Sequence, residues 1–111
     1  MEINTYQIGA LRTINDELTD VEQLQNGLMG LNGESGECID ILKKHLFQGH
    51  ELDKLHIAKE LGDVAWYLAV SSYAIGYDLE SIMEMNLEKL HKRYPDGFDT
   101  ELSKHRENGD I

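Results

Sequence analysis

The stretch GLMGLNGESGECID, Gly27–Asp40, carries two three-residue repeats that decide how the chain is interpreted. Glycine and acidic residues each recur every third position. A glycine inside a helix costs about 1 kcal/mol relative to alanine, yet the flanking segments VEQLQN and ILKKHLF have a helical pattern. Glycines spaced by three clear one strip of a helix surface. We therefore expect a continuous helix that packs closely against another helix or a flat ligand. The alternative is a break between two shorter helices.

The rest of the chain favours long helices. Its only proline is Pro95, so no proline interrupts the preceding residues. Apolar spacing predicts four helices, over roughly 4–18, 20–47, 52–75 and 79–94. Thr19 and Glu22 fit a capping box before the second helix, and Gly76 suits the end of the third. No segment alternates with period two. The predicted fold class is all-α: a four-to-five-helix bundle in a single domain over 1–98, without a sheet. A polar C-terminal tail over 99–111 is expected to be extended or loose.

Composition limits the classes of partner. The 111 residues suffice for one domain or one protomer of an assembly, and the net charge is −11. Such a charge argues against unassisted binding to nucleic acid or an anionic membrane. It permits binding of a small phosphorylated ligand if a cation lies between the acidic side chains and the phosphate groups. A single cysteine, Cys38, excludes an internal disulfide framework. The N-terminus has no signal-peptide pattern, and we expect a soluble cytoplasmic protein.

Two acidic pairs indicate a metal site. Glu34 and Glu37 are three residues apart, as are Glu60 and Asp63 in KELGDVAWYL, so each pair shares a helix face. Two neighbouring antiparallel helices could bring all four carboxylates to one point. Unpaired, they would repel one another and be costly to desolvate. Mg²⁺ would remove this difficulty, because it prefers oxygen ligands and shares its shell with substrate phosphates. The alternative is a solvated acidic face.

The predicted fourth helix carries a polar stripe of the opposite charge. Asn86, Lys89 and Arg93 in MNLEKLHKRYPDGF lie at positions i, i+3 and i+7. Arginine binds phosphate oxygens with a planar fork and lysine binds them as a point charge. Cations are also favoured near any helix C-terminus, so this stripe has a purely structural explanation as well.

Together these residues resemble the MazG-like all-α nucleoside triphosphate pyrophosphohydrolases. The family pattern is ExxE on one helix and ExxD on the next. Here ESGE, 34–37, is followed after 22 residues by ELGD, 60–63. Downstream, N-x-x-K-x-x-x-R-Y-P matches the family's Asn, Lys and Arg. The resemblance covers about residues 20–98 and is nearest to the small single-domain phage and bacterial members.

The resemblance implies hydrolysis of a nucleoside triphosphate between the α- and β-phosphates. It implies Mg²⁺, or alternatively Mn²⁺, held by Glu34, Glu37, Glu60 and Asp63, with Glu37 chosen to orient or deprotonate the attacking water. It further implies substrate binding by Lys89 and Arg93 at the β- and γ-phosphates and by Asn86. Lys44 lies seven residues beyond Glu37 on the same helix face, so it is a weaker phosphate candidate. The family forms homodimers or homotetramers, and no nucleic-acid or membrane partner is expected.

Two other function classes remain open from the sequence. One is a metal-dependent nucleotide-binding regulator that does not hydrolyse its ligand. The other is a helical assembly protein whose acids form only a solvated face. Tight Mg-dependent nucleotide binding without turnover would distinguish the first, and the absence of any nucleotide effect would distinguish the second.

Overall fold

The computed structural model describes all residues 1–111 and confirms the all-α class. Its five helices are α1 Ile3–Leu11, α2 Asp20–Phe47, α3 Lys54–Ala74, α4 Leu79–Arg93 and α5 Thr100–Lys104. None is long and apolar enough to cross a membrane. The chain divides into two compact units, Met1–Leu79 and Glu80–Ile111, and each is described by itself below.

Helix α2 is continuous through the glycine-rich stretch, as expected, and the alternative of a break between two shorter helices is wrong. The predicted capping box is confirmed at its start. Thr19 Oγ1 accepts from the Glu22 backbone N–H at 3.2 Å, and the Glu22 carboxylate accepts from the Thr19 N–H at 3.0 Å. These hydrogen bonds favour the ionised carboxyl and lower the pKa of Glu22. Both satisfy N–H groups that the helix itself leaves unpaired.

Two of the four glycines allow α2 and α3 to approach closely. A Cβ at Gly27 would lie 2.2 Å from Ser71 Oγ, and a Cβ at Gly30 would lie 2.1 Å from the Tyr67 ring. At Gly33 a Cβ would meet nothing within 4 Å, and the same is true at the fourth glycine. The close-packing explanation therefore holds for the first two glycines only, and packing against α3 offsets their propensity cost.

The predicted extent of α1 was wrong at its C-terminal end, since α1 stops at Leu11 rather than near residue 18. Local polar groups compete with the helix there. Thr13 Oγ1 donates to the Ala10 carbonyl at 2.8 Å, and the Thr13 N–H bonds the same carbonyl in a tight turn. Apolar spacing could not show this. The following connection is attached to α2 by Gln23 Nε2, which donates to the Asn15 carbonyl at 2.6 Å.

The end of α3 follows the prediction at Gly76, whose φ is +83°. The Gly76 N–H donates to the Tyr73 carbonyl and the Tyr77 N–H donates to the Ser72 carbonyl, both at 2.9 Å. This pair of hydrogen bonds is the Schellman motif, which requires a left-handed residue that glycine adopts without strain.

The buried core of the first unit is small and is centred on Ala10, Ala69 and Leu79. Gln7 lies buried beside it, and both the nitrogen and the oxygen of its side-chain amide form hydrogen bonds. Its Nε2 donates to the Ala69 carbonyl at 3.1 Å, and its Oε1 accepts from the Leu79 N–H at 2.9 Å. Because a buried amide without partners would be costly, these bonds fix Gln7 against α3 and the first residue of α4.

The second unit contains a short helix that the sequence reading missed. The segment 99–111 was expected to be extended or loose, but α5 occupies Thr100–Lys104 within it. The Asp99 carboxylate caps α5 by accepting from the Glu101 N–H at 2.8 Å and the Leu102 N–H at 3.1 Å. The N-cap aspartate was the available signal, but the helix is too short to show apolar periodicity.

Candidate metal and phosphate site

Three carboxylates from two helices converge on one point. Glu34 and Glu37 lie on α2 and Glu60 lies on α3, and one oxygen of each is within 4.8 Å of the others. Helices α2 and α3 run antiparallel, since Gly27 meets Ser71 whereas Glu34, farther along α2, meets the earlier part of α3. The three-residue spacing of the acids on α2 places both on the face directed at Glu60. We call these three residues the acidic cluster.

Hydrogen bonds between the carboxyls, together with burial and like charge, shift the pKa values of the acidic cluster. A hydrogen bond with Glu60, followed by burial and the charges of Glu37, Glu60 and Asp63, raises the pKa of Glu34 to about 7. A hydrogen bond with Glu60 also raises the pKa of Glu37. The pKa of Glu60 is lowered, because its carboxylate accepts hydrogen bonds from Glu34, Glu37 and His56. The three carboxyls therefore have pKa values that are moved apart by their interactions with one another.

Two oxygens of the acidic cluster are buried without a partner, namely Glu34 Oε2 and Glu60 Oε2. Buried polar atoms in proteins are almost always hydrogen-bonded. An all-oxygen donor set suits a hard divalent cation such as Mg²⁺, Mn²⁺ or Ca²⁺ better than a thiolate-preferring or imidazole-preferring metal. The residues present therefore fit a divalent cation, which would supply the missing partner for both oxygens.

The fourth predicted ligand lies beside the acidic cluster rather than inside it. Asp63 is absent from the group of mutually close oxygens, but its charge raises the pKa of Glu34 and Glu37. It lines an open pocket with Glu34, Trp66 and Tyr67. The structure therefore brings three of the four predicted carboxylates together and leaves Asp63 adjacent, where its shorter side chain does not reach the same point.

Trp66 is held at this pocket by α1 and by the turn that follows it. Its indole N–H donates to Thr13 Oγ1 at 2.8 Å and to the Ala10 carbonyl at 3.2 Å. Its ring packs edge-to-face with Tyr67, with centroids 5.0 Å apart. Trp66 also packs against the buried core, so it is a core residue with one edge at the pocket.

One neighbour of the acidic cluster was missed from the sequence. His56 Nε2 lies 3.2 Å from Glu60 Oε1, whereas the other oxygen of this carboxylate, Oε2, is buried without a partner. The signal was present, because His56 precedes Glu60 by four residues and such pairs face each other on a helix.

The candidate phosphate ligands have protein partners of their own. Lys44 pairs with Asp40 at 3.1 Å on α2. In the second unit, Arg93 binds both carboxylate oxygens of Asp110, through Nε at 2.9 Å and Nη2 at 2.6 Å. Lys89 Nζ donates to the main-chain oxygen of Ile111. Asn86 is exposed on α4. No sequence pattern indicated the Arg93–Asp110 contact, because it depends on how the residues beyond α5 fold back.

Comparison with known proteins identifies the family. The profile of the MazG nucleotide pyrophosphohydrolase domain matches residues 22–98. The chain belongs to the MazG family. A relative of this MazG domain is the "Gene 37 protein" of Mycobacterium phage L5, which is 32% identical over 101 residues, covering 84% of this chain and 89% of the relative. No solved structure matches the chain.

The matched MazG region contains both candidate sites. It begins near the start of α2 and includes α3 and α4. The acidic cluster, Asp63 and the stripe of Asn86, Lys89 and Arg93 all lie inside it. Helix α5 and Asp110 lie beyond it, so the carboxylate that binds Arg93 is outside the part of the chain shared with the MazG profile.

Proposed function

We propose that this MazG-family chain hydrolyses a nucleoside triphosphate between the α- and β-phosphates, with Mg²⁺, to a nucleoside monophosphate and pyrophosphate. One observation carries the proposal. Three carboxylates on facing helices converge within 4.8 Å, and two of their oxygens are buried without a partner. Family membership supports the reaction class. Clearing non-standard or excess nucleotides from the nucleotide pool is a role that fits this reaction.

Glu34, Glu37, Glu60 and Asp63 are proposed to hold Mg²⁺, or Mn²⁺ in its place. The bound cation would offset charge on the phosphate chain and lower the pKa of a bound water. Glu37 is proposed to orient or deprotonate the attacking water. Its greater exposure within the acidic cluster supports this choice, since a group that handles water must be reached by it. Asp63, at the rim of the cluster, is the ligand with the least geometric support.

Lys89 and Arg93 are proposed to stabilise the β- and γ-phosphates, and Asn86 to contact the substrate or the groups around it. The planar fork of Arg93 already binds two oxygens of one anion in this structure, which supports an anion-binding role. Lys44 remains a weaker proposal, because Asp40 neutralises it locally.

We also propose that the chain works as a homodimer or homotetramer in the cytoplasm, with one MazG domain over 1–98 and no nucleic-acid or membrane partner. An apolar stripe on α2 supports assembly. Its residues follow one another at spacings of seven, eleven, three and four, which keep them on one helix face, and all are exposed: Val21, Leu28, Ile39, Leu42 and Leu46. Only Ala10, Ala69, Val70 and Leu79 form the buried apolar core, and the stripe is apolar surface that a second copy could cover.

The decisive experiment is a panel of standard and modified nucleoside triphosphates incubated with Mg²⁺ and assayed separately for pyrophosphate and orthophosphate. Pyrophosphate release that EDTA abolishes is the expected result. Nucleotide binding without any turnover would favour the regulator. The absence of any nucleotide effect would favour the assembly protein.

A further inference from the structure

The second unit encloses a cavity of about 290 Å³ that is rich in cations. Its wall includes Lys89, Lys92, Arg93, His105 and Arg106, contributed by α4 and by the residues after α5. In a chain with a net charge of −11, four lysine and arginine side chains line this one cavity, where the acidic side chains are Glu107 and Asp110. The volume is at the lower end for ligand pockets, about 300–1,000 Å³, which suits a small anion better than a whole nucleotide.

The segment Glu107–Ile111, here called the acidic strap, lines the same cavity. Asp110 presents both carboxylate oxygens to the guanidinium of Arg93. The two side chains are only 11% and 17% exposed. A bidentate fork is also how arginine binds phosphate. Asp110 therefore uses the two Arg93 donors that a phosphate would need.

The strap is held by few contacts besides this one. A turn links the Asp110 N–H to the Glu107 carbonyl at 3.1 Å, with Gly109 at a φ of +86°. Lys89 donates to the Ile111 main-chain oxygen. The ion pair between Glu107 and Lys92 is long, at 3.8 Å, with both side chains 79% exposed, and such pairs contribute little. These contacts reach α4 only through its side chains, so displacement of the strap would break no backbone hydrogen bond of α4.

We infer that Asp110 of the acidic strap is a built-in competitor for phosphate at Arg93, and that a diphosphate-type anion binds the basic cavity by displacing it. The choice of ligand rests on the proposed function, in which Lys89 and Arg93 contact the β- and γ-phosphates. The competition itself rests on the geometry. The anion is either the phosphate chain of the substrate or free pyrophosphate, and these share the same chemistry.

The test is calorimetric titration of inorganic pyrophosphate into the full chain in metal-free buffer. Asp110→Asn should bind pyrophosphate about five- to tenfold more tightly than the wild type, because the competing charge is gone. Glu107→Gln is the matched control, since it removes the same charge from the same segment without touching Arg93. Its affinity should stay within about twofold of the wild type, as expected for an exposed charge. Equal gains in both variants would overturn the inference, because they would show a general charge effect.

A second variant tests the strap without changing any charge. Gly109→Ala strains the left-handed turn and should also tighten pyrophosphate binding. Gly33→Ala, at a helical position with open space, should not. Gly109→Ala decides the question if Asp110→Asn fails to fold. If both variants fold and bind pyrophosphate with the wild-type affinity, the inference is wrong. Adding Arg93→Ala to Asp110→Asn should abolish the gain, and a gain that persists would place the anion elsewhere.

Steady-state kinetics distinguish the two sources of the anion. If the substrate's phosphate chain displaces the strap, Asp110→Asn should lower KM for the nucleoside triphosphate about as much as it tightens pyrophosphate binding. If free pyrophosphate is the ligand, KM should be unchanged and product inhibition by pyrophosphate should strengthen. Both outcomes support displacement of Asp110 by the anion. A chain that hydrolyses nothing would refute the proposed function. The pyrophosphate titration would still decide whether Asp110 competes with the anion for Arg93.

Discussion

At the scale of single residues, the convergence of Glu34, Glu37 and Glu60 was predictable and the partner of Arg93 was not. The three-residue spacing of Glu34 and Glu37 predicted that they share one helix face. Antiparallel pairing of two long helices predicted that Glu60 lies opposite that face. Asp110 could not be predicted as the partner of Arg93, because contacts across 17 residues depend on a turn at Gly109 that carries no periodic signal. Sequence spacing predicts neighbours on one helix, but not which chain segment folds over them.

Arg93 provides a prediction about the reaction. If its fork stabilises charge that grows on the leaving pyrophosphate, it acts more strongly in the transition state than in the ground state. Arg93→Ala should therefore lower kcat/KM about 10²-fold or more, and Arg93→Lys should recover only part of the loss. Steady-state kinetics at limiting substrate measure both. Wild-type kcat/KM in Arg93→Ala would leave this residue as a helix-end cation only.

Glu34 provides a prediction about pH. Its pKa is raised from 4.5 to about 7 in the folded protein, so between these values the folded state binds more protons than the unfolded state. The free energy of unfolding of the metal-free protein should therefore fall as pH rises through this window. Urea unfolding in EDTA from pH 4.5 to 7.5 measures it, and Glu34→Gln should reduce the slope. An unchanged slope in Glu34→Gln would contradict the assignment.

At the scale of helices, close packing decides what the glycine pattern means. Propensity alone argues against four glycines in α2, yet α2 is continuous, because Gly27 and Gly30 meet α3. The same reasoning shows why the end of α1 was predicted wrongly. Apolar spacing continues past Leu11, but the Thr13 side chain and backbone bond the Ala10 carbonyl instead. Long packed helices are readable from sequence, whereas ends set by single hydrogen bonds are not.

The matched pair Gly30→Ala and Gly33→Ala tests the packing explanation. At Gly30 the new Cβ would lie 2.1 Å from the Tyr67 ring, so overpacking should lower the free energy of unfolding by about 1–3 kcal/mol. At Gly33 the space is open, and the better helix propensity of alanine should raise it by up to about 1 kcal/mol. Denaturant unfolding of both variants measures the difference. Equal effects at the two positions would refute close packing.

At the scale of the whole molecule, a small buried core stands beside exposed apolar surface. The core of the first unit centres on two alanines and a leucine, whereas the apolar stripe of α2 is exposed along its length. Exposed apolar patches in proteins frequently mark interaction sites. The sequence could predict assembly only through the family resemblance, because periodicity does not show whether an apolar face is covered by the same chain or by another copy.

The apolar stripe gives a prediction about assembly. Ile39→Glu places a charge in the middle of the stripe and should convert the wild-type dimer or tetramer to a monomer, as measured by light scattering after size-exclusion chromatography. Leu87→Glu is the control, because Leu87 is equally exposed but lies on α4. A monomeric wild type, or an Ile39→Glu variant with the wild-type mass, would contradict assembly through this stripe.

The central claim is that the acidic cluster holds the metal that makes pyrophosphate release possible. The most direct test compares Mg-dependent pyrophosphate release by the wild type, Glu60→Gln and the exposed-acid control Glu51→Gln, with circular dichroism and mass to confirm fold and assembly. Glu60→Gln should retain the fold and lose at least about 10²-fold in rate, because electrostatic stabilisation by the cation is a large part of such catalysis, whereas Glu51→Gln should match the wild type. A folded Glu60→Gln variant that keeps more than about a tenth of wild-type activity would contradict the account.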